Sequence, residues 1–257
     1  MRHRIFTAII FLAAFSSKVF AQDFLAGAEK KASVKDTHAY ILNSLDGRNQ
    51  KVHIMPDYTN HILKISCLKD TISINDYWGV PADIHILNKN FLSIKYEVRG
   101  GSGLGLGNLL VLCVKNNTLY EAIHVLRYSH LEDVGVIKDY RIKPVLIGNS
   151  GKAYKLKVRV HSISYSKYVP SANYSYNNVS TLRFDVTQNV FYNLKKSIYQ
   201  NMTIYDIKTN KEHKQEIRGN FPEIILGDET YYFIKDGWYQ MEKNNELYNF
   251  TSTTKNN

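Results

Sequence analysis

Residues 97–115 read EVRGGSGLGLGNLLVLCVK: five glycines fall within the eight positions from Gly100 to Gly107, and an unbroken apolar run follows. Three chemical motifs place glycines this densely, each with a spacing that can be checked. A dinucleotide fingerprint needs glycines at relative positions one, three and six at the opening of a helix. From Gly101 the third falls on Leu106, and from Gly103 on Asn108. A phosphate-binding loop of the ATPase kind ends in Gly-Lys-Ser or Gly-Lys-Thr, whereas this tract ends Gly107-Asn108-Leu109. A nucleophile elbow, Gly-x-Ser-x-Gly, fails because Gly100 and Ser102 are followed by Leu104. All three motifs also demand a helix or a strand-to-helix turn, and LLVLCV has the character of a strand. Gly100 to Gly107 is therefore read as the link between two neighbouring strands, its glycines serving sharp turns, a bulge or close backbone packing. A ligand-contacting loop is the alternative, with Arg99 and Ser102 as its contacting side chains. LLVLCVK has no polar face, which marks a strand covered on both sides and places it at the centre of the core.

Period two extends outward from this tract in both directions. In FLSIKYEVR, residues 91–99, Leu92, Ile94, Tyr96 and Val98 share one face, and Ser93, Lys95, Glu97 and Arg99 share the other. AYKLKVRVH, residues 153–161, turns Tyr154, Leu156, Val158 and Val160 inward and leaves Lys155, Lys157, Arg159 and His161 outside. LNKNF, KNNTLY, GNSGK, TNKEH, KDGWY and KNNEL each set Asn, Asp or Gly where a tight turn needs a positive φ. In the sharpest of them, Lys235-Asp236-Gly237-Trp238, Asp-Gly suits a two-residue turn. Strands joined so tightly are antiparallel. The expected fold is mainly β: an antiparallel, hairpin-rich sheet arranged as a sandwich, meander or propeller, with little helix. One N-terminal helix is a candidate over Ala28 to Leu42, where Gly and Pro are missing and Val34, Ile41 and Leu42 lie toward one side. VFYNLKKSIY, residues 190–199, fits a helix or a pair of strands. The segment from Tyr165 to Asn178 lacks clear alternation and is read as a loop or subdomain junction.

The amino terminus has a different pattern. MRHR supplies a basic start, IFTAIIFLAAF an apolar stretch and Ala21 a small residue before a cut, so residues 1–21 read as a secretory signal peptide and 22–257 as an exported β-rich domain. The apolar run is shorter than the roughly 20 residues of a membrane span, so no transmembrane segment is expected in the mature chain. Periplasmic or extracellular localisation follows. A Lys, Asn, Ile and Tyr bias points toward a bacterial envelope, although the leader also suits a eukaryotic secreted protein.

The leader holds three of the 33 basic side chains and no acid, which leaves 30 against 23 and a net charge of +7. Anionic surfaces become plausible partners. The charges are scattered, and export removes DNA and RNA from reach, so nucleic-acid binding is set aside. The only two cysteines, Cys67 and Cys113, lie in strand-like runs and could pair in an oxidising compartment or stay as buried thiols. Nine histidines form neither a His-Glu-x-x-His nor, with cysteine, a Cys-x-x-Cys type of motif, so neither a metal nor an organic cofactor is expected. Asp76, Glu132 and Asp133 neighbour aromatics or histidines, but acids in turns usually form those turns, and no catalytic residue is assigned.

Two features suit binding better. Lys155, Lys157 and Arg159, with His161, make a basic stripe fit for an anionic envelope polymer, or alternatively a solvated outer face that discourages edge aggregation. Tyr165, Tyr168, Tyr174 and Tyr176 stand among Ser and Asn, a composition that gives broad contact area at small entropic cost. The alternative is a plain loop whose rings lie on the sheet. The leading expectation is an exported, non-catalytic protein that binds another macromolecule in the envelope, as an inhibitor, immunity or accessory factor. A periplasmic hydrolase acting on wall or envelope substrates and a structural module of an envelope assembly are the other two readings.

Overall fold

A computed structural model of the protein describes residues 37–98, 104–150, 153–206, 211–242, 246–249 and 253–256. Among them the only helical element is a 3-10 turn, Pro170–Ala172. The rest of the regular structure is strand, arranged as three sheets. The chain is thus a nearly all-β protein built from antiparallel pairs, with one parallel pair.

The first sheet contains β1 (His38–Asn43), β2 (Asn49–Asp57), β3 (Ile62–Cys67) and β4 (Asp70–Ile74), with β18 (Thr253–Asn256) added beside β4. The second is an eight-stranded meander of β5 (Asp83–Leu87), β6 (Phe91–Val98), β7 (Leu104–Lys115), β8 (Thr118–Asp133), β9 (Val136–Ser150), β10 (Ala153–Ser166), β11 (Tyr174–Asp185) and β12 (Val190–Tyr192). The third is a closed five-stranded barrel of β13 (Leu194–Asp206), β14 (Lys211–Leu226), β15 (Glu229–Ile234), β16 (Gly237–Met241) and β17 (Glu246–Asn249). Five strands in simple succession leave the first and last pointing the same way, so β17 closes on β13 in parallel.

Local chemistry sets the hairpins. Asn88 and Lys89, Asn116 and Asn117, and Lys235 and Asp236 form two-residue turns with both residues at positive φ, the geometry that matches strand twist. In the last of these the turn sits one residue earlier than Asp-Gly suggests: Gly237 already pairs with Ile234 as the first residue of β16. GNSGK, TNKEH and KNNEL fall partly outside the described residues.

The glycine tract joins two neighbouring strands, β6 and β7, which pair antiparallel from Val98 and Leu106 onward. The connection is shorter than the tract: Leu104 to Gly107 belong to β7, and residues 99–103, with Arg99 and Ser102, lie outside the described residues. Beyond Gly107 every residue from Leu109 to Val114 is buried. Leu109, Val111 and Cys113 enter a cluster shared with β9, β10, β11 and the barrel, while Leu110, Leu112 and Val114 enter a second one shared with the first sheet. Each such side chain contributes about 1.5–3 kcal/mol on burial. The apolar run is the wall between two cores.

The eight-stranded sheet coils over its own inner face. The Phe91 ring of β6 lies 5.0 Å from Tyr154 of β10, 5.2 Å from Phe184 of β11 and 5.1 Å from Phe191 of β12, centroid to centroid. Coiling splays β8 from β9, which pair only between Tyr128–Asp133 and Val136–Arg141. Barrel side chains satisfy two backbone groups along the opened stretch of β8. Trp238 Nε1 donates to the Glu121 carbonyl at 2.9 Å, and Leu126 N–H donates to the Tyr231 hydroxyl at 3.3 Å.

Two expectations need correction. His38 to Leu42, the end of the expected helix, is strand β1, with Leu42 buried and Ile41 exposed, because full-length pairing with β2 imposes period two; residues 28–36 are outside the described residues. Cys67 and Cys113 are free thiols buried in different clusters, so no bridge joins them. VFYNLKKSIY is extended, split between β12 and β13 in two different sheets. Residues 165–178 are the tip and descending arm of the β10–β11 hairpin, inside one sheet.

Candidate functional site

Strand β10 alternates as its sequence demands: Leu156, Val158 and Val160 are buried against the barrel side, while Lys155, Lys157 and Arg159 are exposed. Its two neighbours enlarge the stripe into a patch. Lys155 stands opposite Arg183 of β11, Arg159 opposite Lys143 of β9, and the half-buried His161 opposite Arg141 of β9; the lysines and arginines among them are all exposed. Alternate residues on one strand are about 6.7 Å apart and neighbouring strands about 4.8 Å, so the patch, from the level of Lys155 to that of Arg141, covers roughly 20 by 10 Å. The exposed apolar side chains of Val145 and Val179 lie between the charges, opposite Lys157 and Arg159 respectively.

The acids at either end of the patch are already held. Asp139 takes Arg141 at 3.0 Å and His130 at 3.2 Å, and Asp185 takes Lys195 at 2.7 Å. Directly opposed like charges, here Lys155 with Arg183 and Arg159 with Lys143, oppose sheet formation. Edge protection does not account for them, because β10 lies between two full-length partners.

The four tyrosines divide into two pairs. Tyr174 and Tyr176 fold onto the β14–β15 turn: the Tyr174 hydroxyl donates to Asp228 at 2.9 Å, and the Tyr176 ring rests on Gly227, which has φ +68°. Tyr165 and Tyr168 stay 46% and 63% exposed at the hairpin tip, where Lys167 Nζ lies 4.8 Å from the Tyr168 ring centroid. The tip is tied to the β8–β9 turn by Lys167 N–H donating to the Gly135 carbonyl at 2.9 Å. Ile137 sits opposite Tyr165, and Val134 projects nearby in that turn, so aromatic and aliphatic surface meets at one end of the basic face.

Three polar groupings in the interior come from residues far apart in sequence. His124 is fully buried, with Nδ1 3.0 Å from Glu121 and Nε2 2.6 Å from the hydroxyl of Tyr96, itself 1% exposed. Asn108 Nδ2 donates to that same hydroxyl at 3.2 Å. A carboxylate, imidazole and hydroxyl in line resemble a proton relay, but the hydroxyl is enclosed in the core, and the chain of bonds orders the packing there. Glu97 accepts from Arg127 at 2.7 Å and from the Tyr128 hydroxyl, whose acidity is reduced by burial and by that carboxylate, raising its pKa to about 12. Glu223, 3% exposed, accepts from the Tyr232 hydroxyl at 2.5 Å, with Lys196 Nζ 3.8 Å away. Burial first, and then the Glu223 carboxylate, holds the Tyr232 phenol well above the usual tyrosine range. Period two assigned Tyr96 inward, but the cross-strand partners depend on register. Among the described residues no group of three His, Cys, Asp or Glu is placed to hold a metal ion, and no helix is long and apolar enough to cross a membrane.

No protein-family model, curated protein or solved structure matches this chain.

Proposed function

We propose that this chain is an exported, non-catalytic binding protein, and that the outer face of β9, β10 and β11 meets an anionic macromolecule of the cell envelope. One observation carries the reading: Arg141, Lys143, Lys155, Lys157, Arg159 and Arg183 share a solvent-facing surface on three adjacent strands, with like charges set directly opposite one another. Such opposition costs stability in the free protein, and an anionic partner relieves it. Tyr165 and Tyr168 add low-entropy contact area at the end of the same face. The interior relay of Glu121, His124 and Tyr96 lacks access to substrate, which weighs against hydrolysis at that point.

Capture of envelope components on the purified protein tests the reading. The expected result is a partner retained by the wild type, released as salt rises because exposed charges are screened within about 8 Å at physiological ionic strength, and lost from the Lys155→Glu/Lys157→Glu/Arg159→Glu variant. Tyr165→Ala/Tyr168→Ala weakens capture without the salt effect. A partner that the charge-reversed variant holds as well as the wild type, or turnover of a wall or lipid substrate with no partner, overturns it.

A further inference from the structure

The cations of the basic face form a line. Arg183, Lys155, Lys157, Arg159, Lys143 and Arg141 succeed one another across three strands, starting on β11, running along β10 and ending on β9. Each step leads either to the opposite residue on the next strand, about 4.8 Å away, or to the next residue on the same face of one strand, about 6.7 Å away, and the line is about 22 Å from end to end. Uncharged side chains bound it on both sides. Val145 of β9 and Thr181 of β11 stand opposite Lys157, and Val179 of β11 stands opposite Arg159. All six cations are exposed, and among the described residues only Arg141 is ion-paired, to Asp139.

We propose, resting on the reading of this face as an anion-binding surface, that the line seats a linear polyol phosphodiester, a polymer with one negative charge per repeat and three carbons between phosphates. Spacing selects this class of anion. Two residues of an extended polypeptide contain six backbone bonds, and the path from phosphorus to phosphorus through a three-carbon diol is also six bonds, so both repeats span about 7 Å. Successive phosphates fall in step with Lys155, Lys157 and Arg159, and the shorter lateral steps to Arg183 and Lys143 lie within reach of those long side chains. Each of Arg183, Arg159 and Arg141 can hold two oxygens of one phosphate, while the lysines act as point charges between them. A flat anionic bilayer fits less well, because the uncharged Val145, Thr181 and Val179 fill the places beside the line. A nucleic-acid strand has the same six-bond repeat, but its bases need aromatic side chains on which to stack. No Tyr, Phe or Trp stands on this face between the level of Lys155 and that of His161 on β9, β10 or β11.

The test titrates the purified protein against two synthetic oligomers, each with about six phosphates to match the line: one joined by 1,3-propanediol, the other by 1,9-nonanediol, which doubles the spacing at equal charge. Neutralising a phosphate on a single strand contributes about −0.7 to the slope of log affinity against log salt, so the three-carbon oligomer is expected to show a slope of about −4. The nine-carbon oligomer reaches about half of the cations, giving a slope of about −2 and binding about tenfold weaker. Lys157→Gln reduces the first slope by about 0.7, whereas Lys214→Gln, which removes the same charge from an exposed position on β14, leaves it unchanged. Near-ultraviolet circular dichroism that matches the wild type shows both variants to be folded. Equal slopes and affinities for the two oligomers, or tighter binding of oligothymidylate or of phosphatidylglycerol vesicles, overturn the polyol phosphodiester and leave the face an anion-binding surface. A slope that Lys157→Gln does not change places the polymer elsewhere and also overturns the proposal. Retention of the envelope partner by the Lys155→Glu/Lys157→Glu/Arg159→Glu variant is the separate result that removes the broader reading.

Discussion

The ring of Tyr128 fills the space that a side chain on Gly107 would need: a β-carbon built there comes 2.4 Å from Cε1 of that ring and 3.0 Å from Arg127. The ring is held from two sides, by its hydroxyl on Glu97 and by the Arg127 guanidinium 4.5 Å from its centroid. Gly107→Ala is expected to cost about 1–3 kcal/mol through overpacking. At Gly105 the nearest ring atom would be at 3.4 Å, an ordinary contact, so Gly105→Ala stays within about 0.5 kcal/mol. Urea unfolding of the two variants checks the contrast, and equal losses would show that the ring moves aside.

Glu229 gives stability a pH dependence of unusual sign for a carboxylate. Burial pushes its carboxyl above the ordinary range, the charges of Asp228 and Glu242 push the same way, and the hydrogen bond from Gln240 opposes them. Because the folded state holds the proton more tightly than the unfolded one, this contribution is complete below the ordinary carboxylate range and is lost as pH rises through the raised folded value. Glu229→Gln keeps an uncharged group in place, so the variant gains on the wild type as pH increases across that window and then levels off. Unfolding midpoints of both proteins from about pH 4 to about pH 8 measure it. A constant difference across the range refutes the assignment.

Both thiols are expected to be inert in the native protein. Burial raises the pKa of Cys113 and of Cys67, and Asp70 adds to the effect at Cys67, so neither supplies a thiolate near neutral pH. A thiol reagent in excess should register two groups only after denaturation, with or without prior reductant. Labelling of the folded protein within minutes would show that one of the two cores opens.

Trp238 ties the barrel to the splayed stretch of β8, with its ring fully buried and its Nε1–H on the Glu121 carbonyl. Trp238→Phe leaves that carbonyl unmatched and is expected to cost about 1–3 kcal/mol. Trp78, the other tryptophan, is 43% exposed, and Trp78→Phe should change stability by less than about 0.5 kcal/mol. Denaturation followed by circular dichroism tests both, and a neutral Trp238→Phe would mean that another donor reaches the carbonyl.

Alternation in the sequence of β10 specified which of its side chains face water, and the apolar run from Leu109 to Val114 specified a strand covered twice. Both are properties of one strand, and the period-two geometry of an extended chain makes them readable without partners. The basic patch was only half legible for the same reason: Lys155, Lys157 and Arg159 are neighbours along the chain, whereas Lys143 and Arg183 join them only through the registers with β9 and β11. The division of the tyrosine-rich segment into two pairs was not legible, because Tyr174, as exposed as Tyr165, and Tyr176 meet Asp228 and Gly227, some fifty residues away in the chain. Nor did an Ala28 to Leu42 pattern suited to helix hold at His38 to Leu42, where a paired neighbour outweighed weak local preference.

What the chain alone determined, then, was its strand-by-strand character: extended segments, tight asparagine-rich turns and a glycine tract with no nucleotide-binding spacing. The tertiary structure decided how those strands divide into two open sheets and a barrel, and which polar residues meet inside. Side-chain periodicity is a local consequence of backbone geometry, while register, coiling and closure come from pairing between residues tens of positions apart.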